Sequence, residues 1–74
     1  MDKKNYSAPA LDKGLDILEL LAVSSIGLTQ AEIAEHLNKS VNEIYRMLNT
    51  LKVRNYLEFD SSTDSYKLSY KLLN

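Results

Sequence analysis

The 74-residue chain has no cysteine and no tryptophan, one proline, two glycines and a single histidine. Without thiols it can build neither a disulfide framework nor a thiolate metal site, and one histidine cannot complete a zinc cage. No apolar run approaches the roughly 18 residues of a membrane span, and the opening MDKKNYS lacks the apolar centre of a secretory signal. The sequence therefore reads as soluble and cytoplasmic, with no membrane partner. It also lacks a histidine–carboxylate–nucleophile set, a glycine-rich phosphate loop and metal-ligand spacing, so neither an enzyme nor a bound cofactor is expected.

What is present suits one small domain. At 8.4 kDa, with 45% apolar and 26% charged residues, the chain has an ordinary globular composition but a marginal core by surface-to-volume scaling. The net charge of −1 excludes a protein that coats nucleic acid by bulk positive charge, yet the sign changes along the chain. Residues 1–36 carry three lysines against six carboxylates. Residues 37–56 reverse this, with Lys39, Arg46, Lys52 and Arg54 against Glu43 alone.

Residues 1–8 read as a loose tail, and Pro9 suits the first turn of a helix running to about Ser24. Leu11, Leu15, Leu18 and Ala22 recur at spacings of four, three and four, which draws an apolar stripe. Ile17, Leu20 and Leu21 widen that arc beyond one core contact, while Asp12, Asp16 and Glu19 hold the far side. The surplus made by Ile17, Leu20 and Leu21 is the expected dimer interface. Gly14 inside this helix costs about 1 kcal/mol relative to alanine and implies either close approach of another element or simple tolerance.

Thr29 followed by Glu32, and Ser40 followed by Glu43, are two capping boxes, each pairing a hydroxyl and a carboxylate with the free N–H groups of a helix start. They open a short second helix burying Ile33, Ala34 and Leu37, and a third over about 40–54 burying Val41, Ile44, Met47, Leu48 and Leu51. Two capped helices joined by a tight turn outline a helix-turn-helix. Asn55 tolerates the left-handed conformation that closes many helices. After it, residues 56–59 and 65–68 alternate as strands around the turn formers of 60–64, and Leu28 is a candidate for a one- or two-residue third strand. The expected fold is mainly α with a small β-hairpin: a winged helix-turn-helix of three helices plus a wing, over residues 9–68.

Three stretches, ALDKGLDILE (10–19), LTQAEIA (28–34) with IYRMLNTL (44–51), and YKLSYKLL (66–73), make the chain resemble the N-terminal domain of IclR-type transcriptional regulators from Ala10 to its end. It departs from the family's usual pattern at Asn55, where glycine is frequent, and at Asn42-Glu43, where a Ser-Thr pair is frequent. The resemblance implies sequence-specific binding of double-stranded DNA. It also implies that residues 69–74 begin a linker helix into a larger C-terminal domain, which would bind a small-molecule effector.

On a helical wheel Asn42, Arg46 and Asn49 lie opposite the third helix's apolar stripe, with Tyr45 and Thr50 at the flanks. Amides can pair bidentately with adenine, and arginine with guanine or phosphate, so this face suits a major groove; the plain alternative is a solvated helix surface. Glu43 is better explained as a cap than as a cytosine contact. Thr29 and Gln30, with Ser40, offer hydroxyl, amide and helix-start N–H groups to phosphate, although Thr29 also serves as a cap. Lys39, Lys52 and Arg54 are further phosphate candidates. Ser62 and Thr63 at the wing tip are candidates for backbone or minor-groove contact, or simply turn formers. His36 is a helix-end residue rather than a ligand. The competing function is a winged-helix protein-interaction or dimerisation module, as attached to some methyltransferases. The leading one is a homodimer reading a pseudo-palindromic operator.

Overall fold

The computed structural model describes residues 8–70. The expected tail up to residue 7 and the linker-helix residues 71–74 lie outside the described residues. Within them the order is α1 (Pro9–Ala22), β1 (Leu28–Thr29), α2 (Gln30–Leu37), α3 (Val41–Val53), β2 (Leu57–Asp60) and β3 (Ser65–Leu68).

Helix ends follow local chemistry. Ala8 is extended before Pro9, which occupies the first turn of α1 where its missing N–H costs nothing. Both capping boxes form. Thr29 Oγ1 accepts from the Glu32 N–H at 3.1 Å while Glu32 Oε1 accepts from the Thr29 N–H at 2.8 Å, and Ser40 and Glu43 repeat the exchange at 3.1 and 3.0 Å. Asn38 (φ 55°) and Asn55 (φ 70°) adopt the left-handed conformation after α2 and α3. At each, the following residue's N–H reaches back to a carbonyl five positions earlier: Lys39 to Ala34 at 2.9 Å and Tyr56 to Leu51 at 2.9 Å. Asn55 thus closes α3 as its sequence position implies.

The hairpin pairs Leu57 with Leu68 through Asp60 with Ser65, and β1 joins on the other side of β3 through Leu28 opposite Tyr66, giving an antiparallel sheet ordered β1-β3-β2. Gly27 permits this junction. A Cβ there would lie 2.7 Å from Ser65 Oγ, closer than atoms pack, and 3.1 Å from the Tyr66 carbonyl oxygen, a tight contact. Gly14 is the opposite case, with open space where its Cβ would be. Its place in α1 is tolerance, not close approach.

The core is one cluster of Ile17, Leu21, Ile33, Ala34, Ile44, Leu48 and Leu57, flanked by half-buried Leu18, Leu20, Leu28, Leu37, Met47, Leu51, Tyr66 and Leu68. Three expectations need correction. In α1 the buried line is Ile17 and Leu21, whereas Leu11 and Leu15 are 61% and 42% exposed and Ala22 is exposed as well. Because α1 packs against α2, α3 and β3 together, the tertiary contacts select the Ile17–Leu21 side of an arc whose periodicity fits either phase. In α3, Val41 is exposed; it sits in the first turn beside the α2–α3 turn, with no element over it. Helix α1 also ends two residues before Ser24, whose hydroxyl donates to the Leu20 carbonyl at 3.2 Å.

Candidate nucleic-acid interface

Burial of Ile44 and Leu48 orients α3 so that its opposite side faces solvent. Asn42, Tyr45, Arg46, Asn49 and Thr50 are all exposed on that side, and Lys52 is exposed at its edge toward the hairpin. Among the described residues, the Asn42, Arg46 and Asn49 side chains have no hydrogen-bond or ion-pair partner. Their spacing of four and three puts them in one row, so two amides and a guanidinium point outward together.

The turn between α2 and α3 supports this row from one side. Gln30 Nε2 donates to the Val41 carbonyl oxygen at 3.3 Å and ties the start of α2 to the first turn of α3. Thr29 and Ser40 use their hydroxyl oxygens as acceptors in the caps, which leaves each hydroxyl proton available to an outside acceptor. Lys39 stands exposed in the same turn.

On the other side lies the wing. The Lys52 ammonium sits 5.2 Å from the centre of the Phe59 ring, and Phe59 leans on Tyr66 with centroids 4.9 Å apart. Burial, then the nearby Tyr45 and Asp64, push the Tyr66 phenol above its ordinary value. The wing tip is more self-contained than its sequence implies. Ser62 donates both its N–H and its hydroxyl to Asp60 Oδ1, at 2.9 and 2.6 Å, and these bonds hold the Asp60 carboxyl below its usual range. The Thr63 and Ser65 hydroxyls share a 2.7 Å bond. Asp60 and Asp64 bound this turn, and residues 60–64 contain no cation.

Like Lys52 over Phe59, a contact at the start of α3 has no signal in the sequence. Lys13 Nζ in α1 lies 3.3 Å from Glu43 Oε2 in the first turn of α3. The Ser40 backbone N–H, followed by Lys13, holds the Glu43 carboxyl below its ordinary value. No local spacing relates the two positions, so only the packing of α1 on α3 brings them together. The expected dimer surface is also corrected: Ile17 and Leu21 are 0% and 3% exposed, and Leu20 is half-buried against the same core. These side chains are engaged within the domain, and the exposed apolar side of α1 is Leu11 and Leu15.

Among the described residues, no group of three or more His, Cys, Asp or Glu side chains converges on a metal position. His36 is exposed in the last turn of α2. No described helix is long and apolar enough to cross a membrane.

The chain matches the family described as the IclR helix-turn-helix domain over residues 10–61. It is 49% identical over 57 residues to the HTH-type transcriptional regulator BhcR of Paracoccus denitrificans, covering 77% of this chain and 20% of that protein. Among solved structures, the IclR transcriptional regulator of Alicyclobacillus acidocaldarius superposes with a TM-score of 0.85 at 28% identity, over 92% of this chain and 28% of that one. An IclR family regulator of Brucella abortus does so with 0.83 at 25% identity, over 96% and 27%. The chain thus spans about a fifth of the curated relative's length. The family is one of transcriptional regulators rather than enzymes, and these relatives lend nothing to a stand-alone protein-interaction module. With three helices, two capping boxes, a short three-stranded sheet and a free polar row on α3, the chain belongs to the IclR helix-turn-helix family, the winged DNA-binding domain of IclR-type transcriptional regulators.

Proposed function

We propose that α3 enters the major groove of duplex DNA, with Arg46 as the principal contact and Asn42 and Asn49 reading base edges beside it. The observation that carries this is the unpartnered Asn42–Arg46–Asn49 row, set on a helix held rigidly by its cap and its buried Ile44 and Leu48. Tyr45 and Thr50 flank the row. Thr29, Gln30, Ser40 and Lys39 meet phosphates on one side, and Lys52 on the other, steadied by Phe59. Ser62 and Thr63 make at most a minor contribution, since their hydroxyls are engaged within an acidic turn.

Two copies bind a pseudo-palindromic operator, one α3 to each half-site. The exposed Leu11 and Leu15 of α1 supply the apolar surface for that pairing in place of Ile17 and Leu21. In the whole protein, which acts in the cytoplasm, a domain beyond this chain binds a small-molecule effector and reinforces the dimer. The test is fluorescence anisotropy on a labelled duplex that the wild-type chain selects from a random pool. Arg46→Ala is expected to weaken binding about tenfold or more, with unchanged circular dichroism, because the side chain touches nothing in the core. Undiminished affinity in a folded variant rejects this placement of α3.

A further inference from the structure

Glu43 is the one acidic residue between positions 37 and 56, and it stands in the first turn of the helix that carries Asn42 and Arg46. A carboxylate at the edge of a DNA-binding face repels phosphate. It is also fixed there, because Oε1 accepts from the Ser40 N–H at 3.0 Å and cannot swing away without opening the cap. The second oxygen, Oε2, faces Lys13 Nζ of α1 at 3.3 Å. The carboxylate is thus divided between two partners: one sets the start of α3 and the other comes from a different helix.

Stability does not account for the second partner. The two side chains are 31% and 42% exposed, and an ion pair so open to water adds little to folding. Close to a polyanion the same pair matters more. An unpaired carboxylate would set a full negative charge beside the approaching phosphates, within the roughly 10 Å over which charge is felt at 0.1 M salt. Paired with an ammonium it contributes no net charge.

We propose that Lys13 is a positioning residue for DNA binding, which neutralises the one carboxylate of the recognition helix while leaving it free to cap that helix. The inference rests on the DNA-binding reading of α3. It gives α1 a role at the interface that does not require Lys13 to touch DNA. Lysine at this position acts through Glu43, so its effect depends on the charge at residue 43.

That dependence is the test. Duplex affinity is measured by anisotropy at about 50 and 200 mM salt, on the duplex selected by the wild-type chain, for Lys13→Met, Glu43→Gln and the double variant. Glutamine keeps the cap, since its side-chain oxygen accepts the same N–H. Lys13→Met alone is expected to weaken binding about threefold to tenfold at the lower salt, and less at the higher. Glu43→Gln binds at least as tightly as wild type, and adding Lys13→Met to it costs less than about twofold. By NMR titration the Glu43 carboxyl moves upward in Lys13→Met. An equal loss in both backgrounds overturns the proposal and makes Lys13 a direct phosphate contact. No loss in either background also overturns it; if Arg46→Ala still weakens binding, the placement of α3 survives. A folded wild-type chain that selects no duplex rejects both readings.

Discussion

Replacing each glycine by alanine should move stability in opposite directions. Gly14 lies within α1, where alanine is favoured over glycine by about 1 kcal/mol because glycine loses more backbone freedom on folding. The added methyl meets nothing within 4 Å, so no steric cost offsets the gain. At Gly27 the methyl would lie 2.7 Å from Ser65 Oγ, 3.0 Å from Ser65 Cβ and 3.1 Å from the Tyr66 carbonyl oxygen. The hydroxyl can rotate away if its bond to Thr63 is released. The Cβ and the carbonyl belong to the part of β3 that pairs with Leu28 and Thr29, so relief requires β3 to shift by a few tenths of an ångström against that pairing. Such overpacking costs about 1–3 kcal/mol. In urea titrations followed by circular dichroism, Gly14→Ala should therefore gain up to about 1 kcal/mol and Gly27→Ala lose about 1–3. Melting points should separate accordingly, at about 4–8 °C per kcal/mol for a domain of this size. A neutral Gly27→Ala would show that β3 yields freely and that the close approach does not hold glycine there. A destabilising Gly14→Ala would place another element against α1 at that turn.

Leu48→Ala should cost about 2–5 kcal/mol and leave much of the chain unfolded, whereas Val41→Ala should change stability by less than about 1 kcal/mol; similar losses at both would mean that α3 is rotated from the orientation described. The raised Tyr66 phenol means that the native state holds this proton more tightly than the unfolded chain does. Its contribution is therefore fully present below the ordinary phenol value of about 10 and lost as pH rises through the folded value, and Tyr66→Phe should flatten that alkaline loss in chemical denaturation series. Fusing a heterologous dimerisation helix to the chain should raise affinity by about 10²–10⁴ on a duplex with two half-sites and leave a single half-site unchanged. Equal affinities on both duplexes, with and without fusion, would mean that the domain binds as a monomer.

Most of the architecture could be read from short-range chemistry. A capping box is decided by residues three apart, and both boxes form as Thr29–Glu32 and Ser40–Glu43 imply. The same locality makes Asn55 a helix end, the 60–64 segment a turn, and Leu28 a short strand once β3 is beside it. The phase of α1 was not decidable in this way. Its run of leucines and isoleucine supports two stripes, and the choice of Ile17 and Leu21 belongs to three elements that pack on it from distant sequence. Contacts between elements were hidden for the same reason. Lys13 with Glu43 and Lys52 over Phe59 join side chains whose spacing carries no periodic signal. At the wing tip, composition identified turn formers, but only geometry shows Ser62 donating twice to Asp60, which engages groups that the sequence leaves open to an outside partner.

The charge layout sets how such a domain must work. Lys39, Arg46, Lys52 and Arg54 offer about four cations to phosphate, and each phosphate neutralised adds about 0.9 to the steepness with which log affinity falls against log salt. One domain therefore gains only a modest counterion-release term. Elsewhere the acidic side of α1 and the carboxylates of the wing oppose non-specific adhesion to a polyanion, so the net charge of −1 does not conflict with DNA binding. It confines attraction to one face. Under the proposed placement of α3, a face with few phosphate contacts would hold DNA well only where the Asn42–Arg46–Asn49 row also finds its base edges, and a second copy at fixed spacing would turn that selective but weak contact into a stable one. The modest charge of the single domain is thus the physical reason for the proposed pairing of two domains. A more basic α3 would bind tightly alone, and would do so at every sequence it met.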